Sequence, residues 1–150
     1  MEVTIEEVPE RTTLAIRERM TMESISDSMG RIYMALMSYI GSRGYEMTGP
    51  PYARYFCMDG DSFDVECGVP VKAPVEGAGD IVPSTLPGCK VAVVIHVGPY
   101  EGLKGTYDEF VPWLEENGHE VNVPMWEEYL TDPDVERDPE KWVTRIVWPI

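Results

Sequence analysis

The chain has 150 residues, enough for one ordinary domain with a core and a small pocket. Its apolar fraction of 43% is normal for a globular protein, and no apolar run approaches the roughly 20 residues that cross a bilayer as a helix. Twelve Lys and Arg against 27 Asp and Glu leave a net charge of −15, which repels phosphate backbones and argues against direct nucleic-acid binding.

The first residues, MEVTIEEVPER, are acidic and lack the basic-then-apolar layout of a secretory leader, which points to the cytoplasm. Residues 3–8 predict a short strand and residues 13–20 a second. Ile25, Met29, Ile32, Leu36, Tyr39 and Ile40 then form an amphipathic stripe, predicting a helix over 24–42 that Gly44 caps. Strands are expected within GYEMTGPPYARYF (44–56) and FDVECGVPV (63–71). The stretch 72–88, KAPVEGAGDIVPSTLPG, is rich in Pro and Gly without a clear period. It reads as a linker loop, with a flap over a ligand as the alternative.

A strand over 90–97 follows, then a helix over 102–117 with Leu103, Tyr107, Phe110, Trp113 and Leu114 on its stripe and Gly118 as its cap. Pro112 lies inside this helix and should kink it or cost about 3 kcal/mol. In VPMWEEYL (123–130), Val123, Met125, Glu127 and Tyr129 share one strand face, a stripe extended back through Val121. DPDVERDPEKW (132–142) reads as a solvated turn of a hairpin, and WVTRIVWPI (142–150) as the closing strand.

The two halves repeat each other. At an offset of 74, Gly44 falls on Gly118, Glu46 on Glu120, Pro50 on Pro124, Tyr52 on Trp126 and Tyr55 on Tyr129. The same offset sets Tyr33 on Tyr107, Leu36 on Phe110, Tyr39 on Trp113 and Ile40 on Leu114. At the far end Pro70 meets Pro149 and Val71 meets Ile150. The repeats run over about 13–71 and 90–150, each reading strand, helix, strand, strand. Seven or so strands with two helices leave too few crossovers for a parallel sheet. The expected fold is α+β: duplicated β-α-β-β units forming an antiparallel sheet, two main helices on one face, a pseudo-twofold axis and a ligand groove between the halves.

Cys57, Cys67 and Cys89 contain no CxxC pair and make no zinc spacing with His96 and His119, so they read as buried structural thiols, with no metal or cofactor expected.

The motifs VGPYEGL (97–103), FDVECGVPV, LPGCKVAV (86–93) and EEYLTDP (127–133) resemble the GyrI-like superfamily, and the resemblance covers nearly the whole chain as one domain. It implies a small-molecule-binding module related to the effector-binding domains of multidrug-sensing transcription activators. Such domains take amphipathic, often cationic compounds in an aromatic pocket, into which an E-x-Y strand motif projects, here Glu127 and Tyr129. Some stand-alone members are linked to hydrolytic opening of cyclopropane-bearing genotoxins, and the founding member inhibits DNA gyrase. A chain of this length has no room for a helix-turn-helix domain, so the resemblance is to the sensor module alone.

The residue matching Glu127 in the first repeat is Ala53, so the fold alone does not demand a carboxylate there. A buried carboxylate must be paired or have its pKa raised, and a cationic ligand would relieve that cost. The plainer alternative pairs Glu127 with Arg145 or another base on an adjacent strand, or leaves its face in solvent. Glu128 points the other way and is expected to be solvated. Tyr55, Tyr100 and Tyr129 are the candidate ligand walls, because a buried hydroxyl needs a partner, with Trp113 and Trp148 as further candidates. Each also reads as core, as do Met34, Met37 and Met125, which could instead give an adaptable lining. His96 reads as a satisfied strand histidine rather than a general base.

The expected function is binding of an amphipathic organic cation. One alternative is a hydrolase acting on a strained xenobiotic, with Glu127 as catalytic acid or base and Tyr129 or Tyr100 orienting water. Another is a protein-interaction or inhibitor module whose acidic surface mimics DNA; the sequence names no protein partner.

Overall fold

Strand alternation and helical stripes produce, among the described residues, eight strands and two α-helices. They run β1 (Thr4–Val8), β2 (Arg11–Thr21), α1 (Ile25–Arg43), β3 (Tyr52–Asp59), β4 (Ser62–Pro70), β5 (Val82–Leu86), β6 (Cys89–Val97), α2 (Leu103–Glu116), β7 (Met125–Tyr129) and β8 (Val143–Pro149). The computed structural model describes residues 1–150, apart from the side chains of Met58 and Asp59. The fold is α+β, and the chain divides into two compact units: Pro9–Gly88, and Met1–Val8 together with Cys89–Ile150.

In the first unit the strand order is β3-β4-β2-β5, all antiparallel. α1 packs on β2 and β4 and buries Ile32, Leu36 and Ile40. An exposed ion pair of Arg31 with Glu18 joins the helix to the β2 face that carries Leu14, Ile16 and Met20. Each of the three helix side chains contributes about 1.5–3 kcal/mol by leaving water. In the second unit the order is β1-β6-β8-β7, again antiparallel. α2 packs on β6 and buries Phe110 and Leu114.

The repeats end their helices identically. Gly44 (φ 68°) and Gly118 (φ 78°) adopt the left-handed conformation. The following amides, Tyr45 and His119, then donate back to Ile40 and Leu114 at 3.1 and 2.9 Å. α2 runs through Pro112, which is exposed on its surface.

Four expectations need correction. The stretch 72–88 is not all loop: Val82–Leu86 pairs with β2 along its whole length. Pro83 masks this strand in the sequence, yet an edge strand tolerates a missing N–H. The strand expected from Val121 begins only at Met125, because Pro124 cannot donate to a ladder. Of the three thiols only Cys67 is buried; Cys57 is exposed and Cys89 half-buried. Glu128 is not solvated but 2% exposed.

The sheet face away from each helix explains Glu128. Trp126 Nε1 donates to Glu128 Oε2 at 2.9 Å, and Arg145 Nη1 stands 3.5 Å from Oε1. Arg145 also holds Glu6 at 2.8 Å. The corresponding face of the first unit holds another buried carboxylate, Glu66. It accepts from Tyr52 Oη at 2.9 Å and Ser84 Oγ at 2.6 Å, and Tyr52 Oη also meets Thr13 Oγ1 at 2.9 Å. Burial first, and the Glu66 charge second, push the Tyr52 phenol far above its ordinary value. Tyr52 lies over Gly68, where a Cβ would fall 2.5 Å from the phenol oxygen, so any side chain there would force Tyr52 to move.

Removing the cation from a buried pair leaves an uncompensated charge. Arg145→Met is therefore expected to destabilise the protein by roughly 2–4 kcal/mol in urea unfolding, and adding Glu128→Gln should recover more than half of that. A loss below about 1 kcal/mol for the single variant would show that Arg145 does not compensate Glu128.

Candidate functional site

β7 turns Glu128 to one face and Glu127 to the other, toward α2. Glu127 is 5% exposed. The Tyr107 hydroxyl, from α2, donates to its Oε2, and Tyr129 Oη donates to its Oε1 at 2.7 Å. Tyr107 comes from helical spacing: it lies on the stripe, one turn before Phe110. Tyr129 is two residues beyond Glu127 on the same strand face. Each carboxylate oxygen therefore receives an O–H donor, which replaces part of the water lost on burial.

Further aromatics extend from these two phenols. Tyr100, in the 3-10 turn that leads into α2, packs edge-on against Tyr129 at 5.8 Å and lies 4.9 Å from Trp142. Trp148, on β8, packs edge-on against Tyr107 at 6.3 Å and Phe110 at 5.7 Å. Register places Ile146 opposite Glu127 and Thr144 opposite Tyr129, so Thr144, Ile146 and Trp148 share the Glu127 face. Tyr100 stays partly exposed, and its phenol is pushed above its ordinary value, first by partial burial and next by the Glu127 carboxylate.

Of the residues expected from sequence, Glu127, Tyr129, Tyr100 and Trp148 therefore lie in one linked cluster. Trp113 stands farther along α2, with its ring against Phe110 and His119. Tyr55 belongs to the first unit, where it packs edge-on against Phe63. The plainer pairing of Glu127 with Arg145 gives way to geometry: Arg145 is opposite Glu128 on the other face. His96 is engaged as a strand histidine, Nδ1 with Thr106 Oγ1 at 2.8 Å and Nε2 with the Pro99 carbonyl at 3.1 Å. Two surface depressions of about 290 and 360 Å³, lined respectively by residues around Tyr45 and Lys72 and by Thr21, Met22, Glu23 and Asp61, contain none of these side chains. Among the described residues no three His, Cys, Asp or Glu side chains are grouped to hold a metal ion, and no helix is long and apolar enough to cross a membrane.

Tyr107, one of the helix aromatics weighed as ligand walls, reads more readily as core from its stripe, and Trp142 reads as the end of a solvated turn. The repeat held the signal for the first. Tyr33, its counterpart, reaches from α1 to donate to the Tyr52 carbonyl. A tyrosine at this helix position thus meets the strand in both repeats, and finds a carboxylate only where Glu127 replaces alanine.

A family model for the GyrI-like small molecule binding domain matches residues 1–150. The chain belongs to the GyrI-like family. No curated protein sequence matches it. Among solved structures, the GyrI-like chain is similar to the EcmrR C-terminal domain, with 23% identity and a TM-score of 0.83, over 99% of this chain and 96% of that one. It spans 56% of the EcmrR chain seen in complex with DNA, at 24% identity and a TM-score of 0.82 over 99% of its own length. SAV2435 bound to tetraphenylphosphonium gives 15% identity and a TM-score of 0.73, over 99% and 93% of the two chains. A hydrolase from Listeria innocua gives 16% and 0.64, over 99% and 91%. Identities this low carry the fold and no more.

The coupling of Tyr100 to Glu127 has a measurable sign. A neighbouring negative charge disfavours phenolate, so Glu127→Gln should lower the Tyr100 pKa while leaving it above an exposed tyrosine's, because burial remains. Titration of the tyrosine Cζ resonance by ¹³C NMR reads this. An unchanged Tyr100 midpoint would mean that Glu127 carries no charge felt at the phenol.

Proposed function

We propose that this GyrI-like domain, one domain built from two repeats, captures an amphipathic organic cation, with Glu127 as the counter-charge. Tyr129, Tyr107, Tyr100 and Trp148 supply aromatic surface around it. The observation that carries this reading is a carboxylate only 5% exposed, set among tyrosines at a position where the sister repeat has alanine. The sister repeat keeps the same fold with alanine at this position, so the fold does not demand the carboxylate, and a charge kept despite its desolvation cost favours a cationic guest. Ring faces add about 0.5–2 kcal/mol for a cation held over them. The net charge of −15 raises the local cation concentration and works against nucleic acid as a direct partner. SAV2435, of the same fold, was solved with such a lipophilic cation. A cytoplasmic setting, where xenobiotic cations accumulate at a negative membrane potential, suits this role.

Titration calorimetry with tetraphenylphosphonium tests it. Wild-type protein should bind, and Glu127→Gln should weaken binding at least tenfold, about 1.4 kcal/mol. Tyr129→Phe, which removes one donor from the carboxylate but keeps the ring, should cost less than Glu127→Gln. Equal affinity of wild type and Glu127→Gln would remove the counter-charge role.

A further inference from the structure

The face that holds Glu127 carries two polar atoms with no partner among the described residues: Thr144 Oγ1 and Trp148 Nε1, both buried. Thr144 is fully enclosed, and its hydroxyl can donate or accept, so it specifies no chemistry. Trp148 is different. It is 7% exposed, and an indole N–H can only donate. Its ring neighbours, Tyr107 and Phe110, meet it edge-on and supply packing, while the Tyr107 hydroxyl is already directed at Glu127. Two other indoles are served: Trp126 Nε1 donates to Glu128 at 2.9 Å and Trp142 Nε1 to the Glu136 carbonyl at 2.7 Å. A buried donor left without an acceptor costs about 1–3 kcal/mol. That cost falls on the one indole packed beside Tyr107, the tyrosine that holds Glu127.

With Glu127 taken as the ligand's counter-charge, we infer that the ligand also supplies the acceptor Trp148 lacks. The preferred guest is an organic cation that carries a carbonyl, amide or comparable oxygen, positioned to accept from Trp148 Nε1 while its charge faces Glu127. Such a site selects by chemistry as well as by charge and greasiness. A pocket with a fixed, desolvated donor discriminates against ligands lacking the acceptor more strongly than a hydrocarbon wall discriminates by size. A cation clothed only in hydrocarbon would satisfy Glu127 and leave the indole proton unpaired.

Two matched probes separate the contributions: 1-(naphthylmethyl)pyridinium and its 3-carbamoyl derivative, which differ by one amide. Wild-type protein should bind the carbamoyl probe about tenfold more tightly, the equivalent of one hydrogen bond of ~1.4 kcal/mol. Trp148→Phe should bring that ratio close to one, whereas Glu127→Gln should weaken both probes and preserve the ratio. In wild-type protein labelled with ¹⁵N, the Trp148 indole N–H resonance should move with the carbamoyl probe and much less with the plain one, which needs no variant to fold. Equal affinities in wild type, an unchanged ratio in Trp148→Phe, or an indole resonance that neither probe moves would overturn the acceptor role. If Glu127→Gln still weakens both probes in that case, the cation site stands without it. If wild type binds neither probe, both readings fall.

Discussion

Two consecutive carboxylates on β7, both buried, set the terms for the second unit. A strand must send Glu127 and Glu128 to opposite faces, so each face of the sheet inherits a desolvated charge. The faces answer differently. Behind β7, Glu128 receives an indole N–H and lies near a guanidinium that is itself tied to Glu6 on β1. In front, Glu127 receives two phenol hydroxyls. The rear solution ties together three strands and gives stability. The front solution fixes the position of α2 through Tyr107 and leaves the carboxylate among aromatic rings.

Comparison of the repeats shows how little change this required. Both units share a strand-helix-strand-strand core, with the extra strand last in the first unit and first in the second, the same left-handed glycine after each helix and a tyrosine at the same helical position. At 53 and 127 the side chain is alanine or glutamate, and the helix tyrosine bonds to a strand carbonyl or to a carboxylate accordingly. The rear faces carry an inverted charge pattern. Arg54 stands opposite Glu66 in the first unit, and Glu128 opposite Arg145 in the second. The aromatic at 52 or 126 donates to the carboxylate whichever strand carries it. What the duplicated backbone conserves is the place for a buried acid and its aromatic donor, not the identity of the strand that bears the acid.

Much of this was legible in the sequence, because helices with clean apolar stripes and strands that repeat at a constant offset need no tertiary information. The α+β class and both helix caps follow from such patterns, whereas Glu127 and Tyr129 are singled out by the resemblance of their E-x-Y motif to the GyrI-like family. The failures share a cause: they depend on partners distant in sequence. β5 is a strand only because β2 offers it an open edge, and its own Pro-rich composition conceals that. Glu128 is buried only because Arg145 and Trp126 make burial tolerable. Tyr107 and Trp142 join the cluster through contacts whose partners lie 20 or more positions away, as Glu127 does from Tyr107 and Tyr100 from Trp142. Local propensity has no access to such pairings.

The second unit is discontinuous: β1 belongs with residues beyond Cys89, although the whole first unit lies between them. On a ribosome β1 therefore emerges before β6 exists, and its native partner follows only after some eighty residues are made, from Val8 to Cys89 in register. Its sequence, TIEEV, fits that wait, since adjacent glutamates repel other strand edges that might otherwise recruit it. Glu6 later becomes the partner of Arg145. The charge suited to discouraging foreign strand edges is thus the same one that meets Arg145 in the folded unit.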